Sequence, residues 1–371
     1  MLSSVKRRSV MGGCLAALTV PAMNKAEANP SLAPEPLVFA HRGASALRPE
    51  HTLAAYAEAA KDGADYIEPD LVPTKDGVLV VRHECNITDT TDVADHPEFA
   101  SRKRTVTIDG VSQTGWFTID FDLAELKTLR ARERLPTIRP HNTRYNDHFD
   151  IPTFEEMIDF VAATASAQNK VFGIIPEIKN STFFHSCGFN PEEIFLRTIA
   201  AHEYTRQAPL EVQSFETGNL KAIRKRVLEI NPRARLMFLM SASDVPVPDL
   251  AASGQKTTYG DMMTPKGLSL VKSFADVIGP ANSSLVLRNH DGEWTQATSL
   301  ISDAHKAGLL VHSYTARPEN CFLPKQLRND AGPYARNPEG MIAEVRRYLD
   351  MGLDGFFTDD PALGRKAVET L

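Results

Sequence analysis

The chain has 371 residues, 42% of them hydrophobic and 24% charged, with a formal net charge of −6. That composition supports a substantial buried core and is ordinary for a globular protein. The acidic balance argues against a general binder of nucleic acid or of anionic membrane.

The first 28 residues read as an address. Lys6, Arg7 and Arg8 form a basic start, Val10 to Val20 a short apolar run, and Ala26-Glu27-Ala28 a small-residue cleavage pattern. Arg7-Arg8 followed by Ser9-Val10 resembles a twin-arginine export signal. The run is much shorter than the roughly 20 residues that a spanning helix needs, so no stable membrane span is expected. A periplasmic or secreted location follows. Residues 1–28 carry Lys6, Arg7, Arg8 and Lys25 against Glu27, so their loss takes the formal charge from −6 to −9. An anionic substrate must then meet positive charge supplied locally. The remaining Cys85, Cys187 and Cys321 have neither disulfide-framework nor zinc spacing and are read as free thiols.

Residues 29–36 form a Pro-rich linker, and one domain is expected over 37–371. Leu37–Ala40 reads as a buried strand and Leu53–Ala60 as a helix. Strands follow at Ala64–Leu71 and, after the Lys75-Asp76-Gly77 turn, at Val78–Arg82. Residues 84–150 break the alternation. They hold many charges and one short helical stretch, Asp120–Leu129, and are read as an insertion near a barrel mouth that shapes the substrate pocket. Phe154–Ala163 is helical, Val171–Ile178 a strand, Leu210–Phe215 a strand, Gly218–Leu228 a helix and Leu236–Met240 a strand. Val277–Gly279, Leu309–Tyr314 and Gly355–Thr358 complete the strands. Continuous apolar strands alternating with helices predict a parallel sheet covered by helices, and about eight units predict an α/β fold of the (β/α)8 TIM-barrel type. A doubly wound sheet is the structural alternative.

The chemistry-bearing residues fall where such barrels carry their sites, at the C-terminal ends of strands. Glu68 and Asp70 are two apart on a strand and share a face, so their carboxylates repel each other. A hard cation such as Mg²⁺ or Ca²⁺ relieves that repulsion. Alone, the pair reads equally as solvated loop acids. Glu177 and Lys179 repeat the spacing, as a metal ligand beside a phosphate-binding ammonium or as a plain salt bridge. Arg42 offers a planar fork for phosphate. His41 and His83 each follow an apolar strand and suit general acid–base work. Singly each is an ordinary capping or core histidine, but together beside three carboxylates they read as a site.

Ala40-His41-Arg42-Gly43-Ala44-Ser45, Pro49-Glu50-His51-Thr52, the stretch Gly63 to Asp70, Thr74-Lys75-Asp76-Gly77 and Val80-Val81-Arg82-His83 resemble the glycerophosphodiester phosphodiesterase family. So do Pro176-Glu177-Ile178-Lys179, Ser214-Phe215, Val311 to Thr315 and Asp354 to Asp359. The pattern spans almost the whole chain after the signal and is most similar to the bacterial periplasmic branch. The resemblance implies that His41 and His83 are the acid–base pair, that Glu68, Asp70 and Glu177 hold a divalent metal (Ca²⁺ ahead of Mg²⁺), and that Arg42 and Lys179 lie near the phosphate. Phe215 and Tyr314 line the glycerol or alcohol pocket in the same reading. The implied activity is metal-dependent hydrolysis of small glycerophosphodiesters to glycerol 3-phosphate and an alcohol. Two positions depart from the family's usual pattern: Glu84, where Asp is usual after the second histidine, and His51, where many members have Asn. Competing readings are a phospholipase D-like enzyme acting on lysophospholipids or sphingolipids, a non-catalytic binding protein on the same barrel, and a sugar-processing barrel with paired carboxylates. The sequence carries no signal for an oligomeric state.

Overall fold

A computed structural model describes residues 36–369. The expected signal over 1–28 and the expected linker up to residue 35 lie outside the described residues. Eight parallel strands close into a ring. The first, Leu37–Ala40, pairs with the eighth, Gly355–Thr358, and with the second at Tyr66–Ile67. The second strand then meets the third, Gly173–Ile174 and Glu177–Ile178, which meets the fourth, Glu211–Ser214. The fifth, sixth and seventh, Arg235–Met240, Val277–Pro280 and Leu310–Ala316, lead back to the eighth. Helices between successive strands cover the outside, among them Leu53–Lys61, Phe154–Gln168, Thr217–Ile230, Pro338–Leu349 and Pro361–Glu369. This is the expected (β/α)8 barrel. No helix among the described residues is long and apolar enough to cross a membrane.

The second and third strands are each broken in two, between Ile67 and Asp70 and between Ile174 and Glu177. A proline sits in each gap, Pro69 and Pro176, and cannot donate a ladder hydrogen bond. Asp70 and Glu177 resume the ladder as register partners, so the two carboxylates stand side by side. Neither residue ends its strand, as the sequence suggested; each restarts one. The expected strand Val78–Arg82 is also placed differently. Leu79–Val81 runs antiparallel to Asp70–Pro73 and is the return arm of a hairpin rising above the barrel. His83 therefore comes down to the mouth from above.

Three apolar clusters hold these layers. The largest lies between ring and helices and includes Val38, Phe195, Ile223 and Val345. Phe39, Met237, Leu239 and Phe357 fill the ring itself, with Phe39 and Phe357 stacked at 4.9 Å between centroids. Gly355 is required there: a Cβ would meet the Phe39 ring at 2.7 Å. A buried polar pair, Glu211 and His312 at 2.8 Å, crosses the same interior.

The 84–150 segment carries a core of its own, with Phe99, Trp116, Phe117, Phe121 and Leu129 packed on Val72 and Val80 of the hairpin. Its regular structure is a two-stranded ribbon, Arg104–Ile108 with Val111–Gly115, and single helical turns. The helix expected over 120–129 forms only over Leu123–Leu126, opened by an Asp122–Glu125 capping box. Cys85, Cys187 and Cys321 are free thiols.

Candidate active site

His41, Arg42, Glu68, Asp70, His83, Glu177, Phe215 and Tyr314 line one pocket of about 100 Å³ at the barrel mouth. Lys179 faces an adjoining groove of about 790 Å³, which shares His83, Glu177 and Phe215 with that pocket. All nine residues singled out from the sequence thus meet around one opening. The backbone explains part of this. Arg42 takes a left-handed conformation, φ 59°, followed by Gly43 at 87°. A Cβ on Gly43 would come within 2.8 Å of Ala55, so the tight turn after the first strand needs glycine. The turn aims the Arg42 amide at Glu68 Oε2, 2.9 Å away.

Each histidine is tied down through Nδ1. His41 Nδ1 lies 2.5 Å from Asp359 Oδ1, and His83 Nδ1 lies 2.5 Å from Glu84 Oε1. A carboxylate acceptor there assigns the proton to Nδ1 and leaves Nε2 with its lone pair. Burial first, and then the charge of Arg42, lowers His41 to about 4; burial, Arg42 and Lys179 lower His83 to about 3. Both imidazoles are therefore neutral at pH 7. Glu84 meets His83 as an Asp would, so the departure at that position leaves the ring anchored.

The three carboxylates are buried. Glu68 accepts from Gln213 Nε2 at 2.7 Å as well as from the Arg42 amide. Asp70 Oδ2 accepts from His51 Nε2 at 2.8 Å, and His51 Nδ1 meets the Tyr56 hydroxyl at 2.9 Å. His51 thus fixes Asp70 from behind. Burial and the Asp70 charge push Glu68 well above the usual carboxylate range. Glu177 rises to about 8 from burial and Asp70, against the pull of Lys179. Burial would raise Asp70 too, but His51 and Lys179 outweigh it and hold it well below that range.

Among the described residues no three or more His, Cys, Asp or Glu side chains stand as a ready-made metal cage. Lys179 Nζ takes Glu177 Oε1 at 2.9 Å, and Glu68 is engaged as above. The donor set nevertheless fits a hard divalent cation. Asp70 Oδ1 is buried without a hydrogen-bond partner, and two neighbouring carboxyls are driven toward protonation by burial and by the charge of Asp70.

Sequence reasoning noted Glu84 only as a departure beside His83, and missed Asp359 and Gln213 as partners of the site. Asp359 follows the apolar eighth strand just as His41 follows the first, and that placement was the available signal. Gln213 lies inside a strand whose buried polar alternation, Glu211 and Gln213, points into the barrel. Phe215 and Tyr314 pack edge to face at 6.0 Å on the far wall, with Lys179 Nζ 5.8 Å from the Phe215 ring.

Two oriented imidazoles lining one pocket with three carboxylates and a guanidinium, and an ammonium in the adjoining groove, suit a substrate that is anionic and split by proton transfer. The fold and site together define an α/β-barrel phosphodiesterase. The profile of the glycerophosphoryl diester phosphodiesterase family matches residues 41–363, and the chain belongs to that family. It is 37% identical over 338 residues to a glycerophosphodiester phosphodiesterase of Arabidopsis thaliana, covering 87% of this chain and 83% of that one. It is 30% identical over 356 residues to a glycerophosphodiester phosphodiesterase of Haemophilus influenzae, covering 91% of each. A phosphodiesterase of Oleispira antarctica, solved with the product sn-glycerol-3-phosphate, shares the fold with a TM-score of 0.58 at 19% identity, over 90% of this chain and 97% of that one.

Proposed function

We infer that this chain hydrolyses glycerophosphodiesters to glycerol 3-phosphate and an alcohol. The carrying observation is the pair of imidazoles, each with Nδ1 bonded to a carboxylate, lining one pocket with Arg42. In this reading the phosphate lies between Arg42 and Lys179, whose charges offset its own. The anion offsets the charges of Arg42 and Lys179, which lower the two histidines after burial does, so both move upward when substrate is bound. One Nε2 takes the proton of the attacking hydroxyl, whether from water or from the glycerol itself, as the new P–O bond forms. The other imidazole has to enter the step as the imidazolium, its Nε2 protonated from solvent when the anion binds, and it gives that proton to the departing alkoxide as the old P–O bond breaks. Asp359 and Glu84 stabilise whichever imidazolium results. A divalent cation held by Glu68, Asp70 and Glu177 would supply electrostatic stabilisation of the charge that builds on the phosphate oxygens. We favour Ca²⁺ over Mg²⁺ for it, and an exported location for the enzyme.

Phe215 and Tyr314 bound the small pocket, which suits the glycerol end. The adjoining groove, walled in part by Gly110 and Val111 of the ribbon and by Val245, Pro246 and Tyr259, suits the leaving alcohol. The same groove favours a second reading, a phospholipase D-like enzyme acting on lysophospholipids or sphingolipids whose lipid part it would hold, more than the polar composition of 84–150 suggested. The test is release of glycerol 3-phosphate from a panel of glycerophosphodiesters, and of the headgroup alcohol from lysophospholipids, with each metal. Release from small soluble diesters is expected, and no release from any of them with any divalent ion rejects the reading.

A further inference from the structure

We propose that the 84–150 insertion is a working part of the catalytic centre, because Arg134 and Arg139 on it are positioning residues that fix the carboxylates bonded to His83 and His41. This rests on His41 and His83 being the acid–base pair. Neither arginine lines the small pocket, so neither is placed to touch the reacting phosphate. Arg139 reaches it through Asp359, and Arg134 through Glu84 and Glu50.

Arg134 uses its whole fork. Nη1 and Nη2 donate to Glu84 at 2.7 and 2.5 Å, while Nε and Nη2 donate to Glu50 at 2.8 and 2.6 Å. Glu84 holds His83, and Glu50 accepts from Arg42 Nη1 at 3.0 Å. One guanidinium therefore orients an imidazole and the phosphate-binding arginine together. Arg139 works on the opposite side. Its Nη2 donates to Asp359 Oδ2 at 2.5 Å, its Nε to Glu319 Oε1 at 2.7 Å, and its Nη1 to the Ser45 carbonyl at 2.9 Å. Asp359 Oδ1 holds His41 Nδ1, and Ser45 Oγ donates to the His41 carbonyl at 2.8 Å. Arg317 Nε, from the seventh strand's loop, shares Asp359 Oδ2 at 3.0 Å.

The carboxylates need such partners. Burial would raise all three, but the arginines and the histidines outweigh it. Glu50, Glu84 and Asp359 are held well below the usual carboxylate range and stay charged inside the protein. A lysine could supply the charge but not the planar fork that spans two acceptors. Without Arg134, Glu50 and Glu84 face one another with no bridge. Without Arg139, Asp359 is free to turn on its remaining contacts, and the His41 ring turns with it.

The test uses the full chain with saturating metal, comparing Arg134→Met, Arg134→Lys, Arg139→Met and Arg139→Lys with wild type. It adds Arg134→Met on Glu84→Gln and Arg139→Met on Asp359→Asn. Near-ultraviolet circular dichroism checks the fold. Outer-shell orienting partners are typically worth about 10–100-fold, so kcat should fall by about that factor, with KM within about 3-fold and only partial recovery in the lysine variants. In the Asp359→Asn background Arg139→Met should add little, because the pathway it acts through is already cut; on Glu84→Gln, Arg134→Met should add only the part carried through Glu50 and Arg42. Where Arg139→Met does not fold, Arg139→Lys carries the same comparison. Unchanged kcat in folded variants overturns the proposal, as does a full, additive loss in the carboxamide backgrounds. Full activity in His41→Ala and His83→Ala would instead remove the acid–base reading, and this inference with it.

Discussion

His51 offers the sharpest test of how the carboxylate site is held. It is fully buried, with a backbone φ of 55°, and joins the Tyr56 hydroxyl to Asp70 Oδ2. His51→Asn keeps a residue that tolerates the left-handed conformation, but its short side chain cannot meet both partners. One buried polar group then goes unsatisfied, at about 1–3 kcal/mol. His51→Ala orphans both partners, at about 1–3 kcal/mol each. The alanine variant should therefore lose about 2–6 kcal/mol in all. Both changes also release Asp70. Loss of an orienting partner behind a metal ligand costs about 10–100-fold in metal affinity. Urea unfolding measures the first effect as a fall in midpoint at constant slope. The metal concentration giving half-maximal activity measures the second. If His51→Ala unfolds at the wild-type urea concentration and is half-saturated at the wild-type metal concentration, the account of Asp70 is wrong.

Other outcomes follow from the same geometry. His41→Ala and His83→Ala should each lower kcat by roughly 10²–10⁴-fold with the fold retained, measured by turnover and circular dichroism of the purified variants. Exhaustive chelation should abolish turnover and a divalent ion should restore it, Ca²⁺ better than Mg²⁺; activity that survives chelation rejects the three-carboxylate metal site. Glu344 gives a pH effect remote from the chemistry. Burial pushes its carboxyl up to about 7, against Arg288 at 2.7 Å and the Tyr348 hydroxyl at 2.9 Å. A folded value above the unfolded one means its stabilisation is complete below about pH 4.5 and is lost as pH rises through 7. Glu344→Gln, which never ionises, should flatten the decline in urea stability between pH 5 and 8. An identical decline in both proteins would show that Glu344 is ionised throughout.

Much of the barrel was legible because its strands are buried on both faces and read as unbroken apolar runs, Leu37–Ala40 and Gly355–Thr358 being plain cases. What stayed hidden was direction and interruption. Leu79–Val81 has the composition of a barrel strand, and only its pairing with Asp70–Pro73 shows that it runs backwards. Pro69 and Pro176 signalled two breaks, but not that Asp70 and Glu177 would restart the ladder as register partners. The nine site residues were readable from types, spacing and resemblance. Their supports were not. Asp359 lies 318 residues from His41, and no local pattern announces a contact across that distance. Arg134 and Arg139 sit in the stretch with the weakest periodicity, where charge reads as solvated surface.

Loops at the mouth of an α/β barrel are commonly treated as exchangeable parts, a rigid frame carrying variable trim. The anchorage of Arg134 and Arg139 departs from that picture. A graft replacing residues 84–150 with a loop of equal length would remove Glu84, take Arg139 from Glu319, and leave Glu50 with Arg42 and Asp359 with Arg317 as their remaining arginine partners, even if the new loop packed well. Insertion and frame therefore change together or not at all. Recombination between homologues should succeed when the crossover keeps 130–139 with its own 41–51 and 319–359, and fail when it separates them.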